Sequence, residues 1–290
     1  GGPDAQVDAL ASEFLEKLVP LIDKEDAHPS IYKMTDQGIL PSLTTVLVQE
    51  VDRFNKLVKV IKATLMELRR AIAGEVVLSA DLEKMYNDFL YGKVPLLWSK
   101  VGYPCLKPLS SWYPDFLARM AFLRTWMQNG NPASYWISGF FFPQGFLTGV
   151  LQTHSRRFAI PIDEVAFQTH VQTVEHTELH SAADTGVYIH GVYIEGCRWD
   201  GDNGSLAESA KAVLYQAMPA VHLDCVHKSE VQASEEIYAA PLYKTSLRQG
   251  VLSTTGLSTN HVMNVDLPSL SHDPAHWIHR GVALLCMLND

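Results

Sequence analysis

The feature that most constrains this chain is a change of hydrophobic period around Tyr135–Ile162, YWISGFFFPQGFLTGVLQTHSRRFAIPI. Before it, apolar residues recur every three or four positions, as on one face of a helix. After it, short β-branched and aromatic runs sit between Gly, Pro and Asp, as in strands. The stretch itself is dense in aromatics and predicts one more helix over Phe146–Phe158. It reads as a packed joint between a helical half and a β half.

The helical half is the more regular. Asp4–Lys24 predicts a helix, with Val7, Leu10, Phe14, Leu18 and Leu21 on one stripe, ended by His28-Pro29-Ser30. Thr44–Ala73 predicts the longest helix. Leu47, Val51, Phe54, Val58, Ile61, Leu65, Leu68 and Ile72 form a seam, about seven turns long at 3.6 residues per turn. Arg53, Lys56, Lys59 and Lys62 fall on its other faces, as a solvated surface or a strip for an acidic partner. Gly74 is a stop, and Ser79 caps a further helix that Gly92 ends. Val94–Pro108 reads as loop, and about Trp112–Asn129 as helix up to Gly130-Asn131-Pro132.

In the β half, strands are predicted over Val165–Gln172, Gly186–Cys197 with a kink at Gly191, Pro219–Val226, Tyr238–Tyr243, His261–Val265 and Val282–Leu288. No helix long enough for parallel crossovers lies between them, so an antiparallel barrel or sandwich follows.

Composition narrows function by exclusion. The chain has 290 residues, 47% hydrophobic and 19% charged, and a formal net charge of −9. That balance is globular and lacks the basic excess of a nucleic-acid surface. No apolar run reaches the roughly 18–20 residues that span a bilayer, so no membrane partner is expected. Val7–Ile22 is broken by Glu13, Glu16 and Lys17, which does not fit a signal peptide. Gly1-Gly2-Pro3 fits either a cloning remnant or the cut edge of a longer protein. Cys105, Cys197, Cys225 and Cys286 form no CxxC pair and read as reduced thiols in a reducing compartment.

No spacing announces chemistry. Asp200-Gly201-Asp202-Asn203-Gly204 starts like a calcium loop, but position five is Gly204 and position twelve Lys211, so it reads as a turn. His176 and His180 lack the HExxH frame, and His272, His276 and His279 cluster without a nearby cysteine. There is no GxxxxGK[ST] loop, no GxGxxG after a strand and no GxSxG elbow; Ser138-Gly139 lacks the first glycine. Ser258, His261 and Asp266 supply triad residue types without a triad's pattern. Trp98, Trp112, Trp126 and Trp136 read as core. No catalytic, cofactor-binding or metal residue is therefore expected, and no cofactor.

A family resemblance adds what periodicity lacks. TVLVQEVDRFNKLVKVIKATLMELRRAIAGEVVLS from Thr45, GKVPLLW at Gly92–Trp98, YPCLKPL at Tyr103–Leu109, WISGFFFPQGFLTGVLQ at Trp136–Gln152 and IPID at Ile160–Asp163 occur in collinear order. GVYIEGCRWD at Gly191–Asp200, PLYKTSLRQGVLSTTGLSTNHVMNVDLPS at Pro241–Ser269 and HWIHRGVALLCML at His276–Leu288 complete the set. Together they resemble the C-terminal domain of dynein heavy chains, most like the axonemal (ciliary or flagellar) type. The resemblance implies an α+β fold: an N-terminal helical subdomain followed by a C-terminal antiparallel, incomplete six-stranded β-barrel. The implied division is 1–43 as linking helix and connector, 44–159 as helical subdomain and 160–290 as β-barrel. It implies no nucleotide site here, ATP hydrolysis in an upstream AAA+ ring, and a bracing and regulatory role against that ring. The implied partners are the AAA+ ring modules of the same heavy chain, with microtubules reached only through the full motor. The isolated fragment is expected to be a monomer, and its setting the axoneme. A self-contained ligand-binding β-barrel is the alternative.

Overall fold

The computed structural model describes residues 1–231, 234, 236–248, 259–270 and 272–290. They gather into two compact units. The first holds Gly1–Ile31, Leu47–Gly130 and Asn289–Asp290; the second holds Tyr32–Val46 and Asn131–Leu288.

The first unit is helical. Helix α1 spans Pro3–Lys17, α2 Ser42–Ile72 (its residues from Leu47 on lie in this unit), α3 Ala80–Leu90, α4 Leu96–Ser99 and α5 Leu109–Asn129. The predicted seam of α2 is the core: Leu47, Val51, Phe54, Ile61, Leu65 and Leu68 are fully buried. Helix α1 stops short of the expected Lys24. Pro20 disfavours a helical Val19, so Leu18 is already extended. The segment beyond is held by a side chain instead: Ile22 N–H donates to Asn55 Oδ1 at 2.8 Å, and Asn55 Nδ2 donates back to Ile22 O at 2.9 Å. Ser79 caps α3 as predicted, its hydroxyl accepting from Leu82 N–H at 3.2 Å. The expected loop Val94–Pro108 contains the short α4, which sets Trp98 into the core. Phe14 stacks on Tyr113 at 4.0 Å, and Trp98 lies 5.6 Å from Trp112. The Trp98 indole N–H donates to Thr64 Oγ1 at 2.9 Å, so its one polar atom is satisfied inside the core.

The second unit carries the strands: β1 Ser134–Trp136, β2 Val165–Val171, β3 Val187–His190, β4 Tyr193–Glu195, β5 Arg198–Asp200, β6 Ser205–Ala207, β7 Tyr215–Ala217, β8 Val221–His227, β9 Ile237–Tyr243, β10 His261–Pro268 and β11 Ala283–Leu285. Helices α6 Pro143–Phe158 and α7 Pro274–His279 accompany them. Two sheets form, in orders β1-β3-β8-β2 and β10-β9-β11-β4-β7, with β5 and β6 as a separate ribbon. The sheets meet where β10 passes β2, and Thr169 Oγ1 donates to Asp266 O at 2.7 Å.

The α+β class holds. The strands are shorter and more numerous than the six expected, because three-residue strands such as β5, β6 and β7 are too brief to show a period of two. Most pairings are antiparallel, but β1 runs parallel to β3 and β11 parallel to β9. Among the described residues the hydrogen-bonded ladders do not close into a ring. The predicted kink is real. Gly191, at φ +86°, ends β3 and lets β4 enter the other sheet.

Tyr135–Ile162 lies wholly within the second unit, where it forms part of the core. Helix α6 starts earlier than expected because Pro143 occupies its first turn, where a missing N–H costs nothing. Phe146 is fully buried against Phe140, 4.5 Å between centroids, and Tyr135, 4.9 Å.

Candidate functional site

The groups singled out in the sequence are mostly engaged in structural contacts. Ser138, in a short 3₁₀ turn after β1, has its buried hydroxyl between the carbonyl oxygens of Gly191, at 2.8 Å, and Cys286. Its proton thus ties the turn to the β3–β4 kink and to the end of β11, and it faces carbonyls in place of a base. His261 Nε2 meets Asn264 Oδ1 at 3.0 Å. Asp266 is half-buried on β10, and desolvation raises its carboxyl above the ordinary value. Ser258, the third member of that set, lies outside the described residues.

Asp200–Gly204 is a turn between β5 and β6, as the failed calcium spacing implied. Asp200 Oδ1 accepts from the N–H groups of Asp202, 3.0 Å, and Asn203, 3.3 Å, while Oδ2 accepts from Asn203 Nδ2 at 2.7 Å. These bonds, led by the Asn203 side chain, lower the Asp200 carboxyl.

The histidines pair differently from their spacing. His176 stacks on His190, not His180, with ring centroids 3.7 Å apart. His190 Nδ1 lies 2.7 Å from Ser134 Oγ. Burial first, and then His176, push His190 down to about 3. His272 and His276 do come together, and Glu208, just after β6, joins them; His279 is not in the group. Their ligand atoms lie within 4.8 Å of one another. All four cysteines are free thiols. Burial raises Cys197 and Cys225 each to about 12, which leaves them inert as nucleophiles.

Surface character lies elsewhere. Arg53, Lys56, Lys59 and Lys62 are exposed along α2, off its buried seam. In the second unit a cavity of about 300 Å³ is lined by Thr35, Asp36, Gln37, Ser42, Arg156 and Arg157. The inward strand residues Ile189, Ile194, Leu223, Leu242, Leu267 and Leu285 are fully buried. That unit's interior is a packed core and does not favour the ligand-barrel alternative.

Comparison with known proteins places the chain in a family. The family model for the C-terminal domain of dynein heavy chains matches residues 1–286. The protein belongs to that family. It is 42% identical over 291 residues to dynein axonemal heavy chain 3 of Mus musculus, covering 99% of this chain and 7% of that protein. It is 42% identical over 308 residues to dynein axonemal heavy chain 6 of Homo sapiens, covering 99% and 7%. Against dynein axonemal heavy chain 12 of Mus musculus it is 47% identical over 289 residues, covering 100% and 9%. The sequence thus spans less than a tenth of these relatives' length.

Within this dynein C-terminal domain, sequence reasoning missed one charged cluster. Arg119, on α5, is fully buried, with Nε donating to Asp115 Oδ2 at 2.8 Å. Its guanidinium lies 3.6 Å over the Tyr103 ring, and Tyr103 Oη donates to the same Oδ2 at 3.3 Å. Burial raises the Tyr103 phenol well above its ordinary value. The signal was present: Asp115 and Arg119 are four apart, and Arg119 lies seven residues, two turns, after the inward Trp112.

Proposed function

We propose that this protein is a non-catalytic C-terminal domain of an axonemal dynein heavy chain that braces the AAA+ ring and regulates force, velocity and processivity. The observation that carries the reading is the family match over residues 1–286, joined to relatives that are axonemal heavy chains by name. Two physical features support a mechanical role. Helix α2 is 31 residues long with an unbroken buried seam, so it resists bending. Its exposed Lys56, Lys59 and Lys62 present a basic row suited to an acidic neighbour such as a ring module. ATP hydrolysis then belongs to the ring upstream, which fits the absence of a GxxxxGK[ST] loop from the sequence. The partners are ring modules of the same heavy chain, microtubules are reached only through the full motor, and the setting is the axoneme of a cilium or flagellum. The isolated domain is a monomer.

The test is removal of residues 160–290 from the full motor, read in single-molecule motility. The expected result is a change in at least one of velocity, stall force and run length while microtubule-stimulated ATPase persists. Identical values for all three would overturn the regulatory role. ATP turnover by the purified 290-residue protein would overturn its non-catalytic character.

A further inference from the structure

We propose that Glu208, His272 and His276 form a binding site for a zinc-class divalent cation, tying the segment after β6 to α7. Two imidazoles and one carboxylate are the donor set that borderline cations such as zinc accept, whereas calcium and magnesium favour all-oxygen shells. The three ligand atoms already lie within 4.8 Å of one another. Zinc bonds of about 2.0–2.2 Å require them to close somewhat further, which side-chain rotation supplies. Glu208 Oε1 already faces His276 Nε2 in a direct contact. A cation would take the place of the proton between them, and that proton would pass to solvent. Three protein ligands leave the fourth tetrahedral position to water.

The supporting residues are in place around the ligands. His272 and His276 stack with centroids 3.9 Å apart and planes 9° apart. Both meet Trp277 edge to face, at 5.4 Å and 4.6 Å. Trp277 is fully buried and gives both imidazoles a fixed wall, against which the rings turn out of their parallel stack so that one nitrogen of each addresses the same ion. Asp273 caps α7 by accepting from His276 N–H at 3.3 Å, which fixes the backbone between the two histidines. Arg280 Nε donates to Glu208 Oε2 at 2.9 Å, and Nη2 to Oε1 at 3.1 Å. An ionised carboxylate has about four acceptor sites. Arg280 can therefore keep Oε2 while Oε1 serves the cation, as an outer-shell partner that orients the ligand.

The experiment is calorimetric titration of the reduced 290-residue protein with zinc chloride. One ion per molecule is expected. His276→Ala and Glu208→Gln should each weaken binding at least tenfold, while His279→Ala leaves it unchanged. Metal-free thermal unfolding checks that each variant folds; if His276→Ala does not, His272→Gln takes its place. Cobalt(II) should give visible bands of a nitrogen and oxygen site with no thiolate charge-transfer band. Absent binding heat, undiminished binding in the His276 and Glu208 variants, or a thiolate band would overturn the site.

Discussion

Trp136 closes over the backbone of Gly191. A Cβ on that glycine would stand 2.4 Å from Trp136 Cδ1 and 2.6 Å from Nε1. Gly191 also adopts φ +86°, which side-chain-bearing residues rarely hold. Gly191→Ala should therefore destabilise the second unit by at least the about 1–3 kcal/mol of backbone strain alone. Urea unfolding of the protein reads this directly. Gly201→Ala is the control, since Gly201 has open space around its Cα, and it should be near neutral.

Phe146 anchors the aromatic cluster of α6. Phe146→Ala should cost about 3–5 kcal/mol, because both the transfer free energy and the cavity left between Phe140 and Tyr135 count. A loss below about 1 kcal/mol in urea unfolding would show that the site collapses without penalty.

Asp115 and Arg119 form a buried pair whose halves are not equivalent. Arg119 is fully enclosed, and Asp115 retains 14% side-chain exposure. Asp115→Ala leaves a buried guanidinium without that carboxylate, and breaking such a pair costs about 3–5 kcal/mol. Adding Arg119→Met to Asp115→Ala should restore part of the loss, since no charge then remains to be desolvated. Chemical denaturation of the two variants and wild type measures the sign.

His190 makes stability sensitive to acid. Above about pH 6.5 it is neutral in both the folded and unfolded states and imposes no penalty. As pH falls, the unfolded state takes up a proton that the folded state refuses until about 3. The stability present above the unfolded value is thus lost progressively between those two points. The urea midpoint should fall between pH 7 and pH 5, and His190→Gln should flatten that slope. An equal slope in the variant would assign the sensitivity to other groups.

The legible parts of the fold were those with long, regular patterns. The α2 seam, the Ser79 cap and the Gly191 kink each left a local mark: a period, a hydroxyl before an apolar run, a glycine inside a strand. What escaped was set by partners distant in sequence. Strands β5, β6 and β7 have three residues each, and β1 becomes a strand only by pairing with Tyr188–His190. Asn55 holding Ile22 is 33 residues away from it, and no local signal marks such a bond. Glu208 reaches His276 across 68 residues, so the histidine cluster was visible in the sequence and its carboxylate was not. The extent of α1 was misjudged because its apolar stripe continues past Lys17, while Pro20 decides the backbone.

Strand β11 gives the five-stranded sheet an order of completion. It lies between β9 and β4, parallel to one and antiparallel to the other, yet it comes after both in the sequence. During synthesis the β10–β9 ladder and the β4–β7 ladder can each form first, but among the described residues only Ala283–Leu285 bridges them, once it has emerged. Among the described strands β11 is the keystone of this sheet, and a nascent polypeptide halted before it exposes two facing edges to the chaperones that wait on such intermediates.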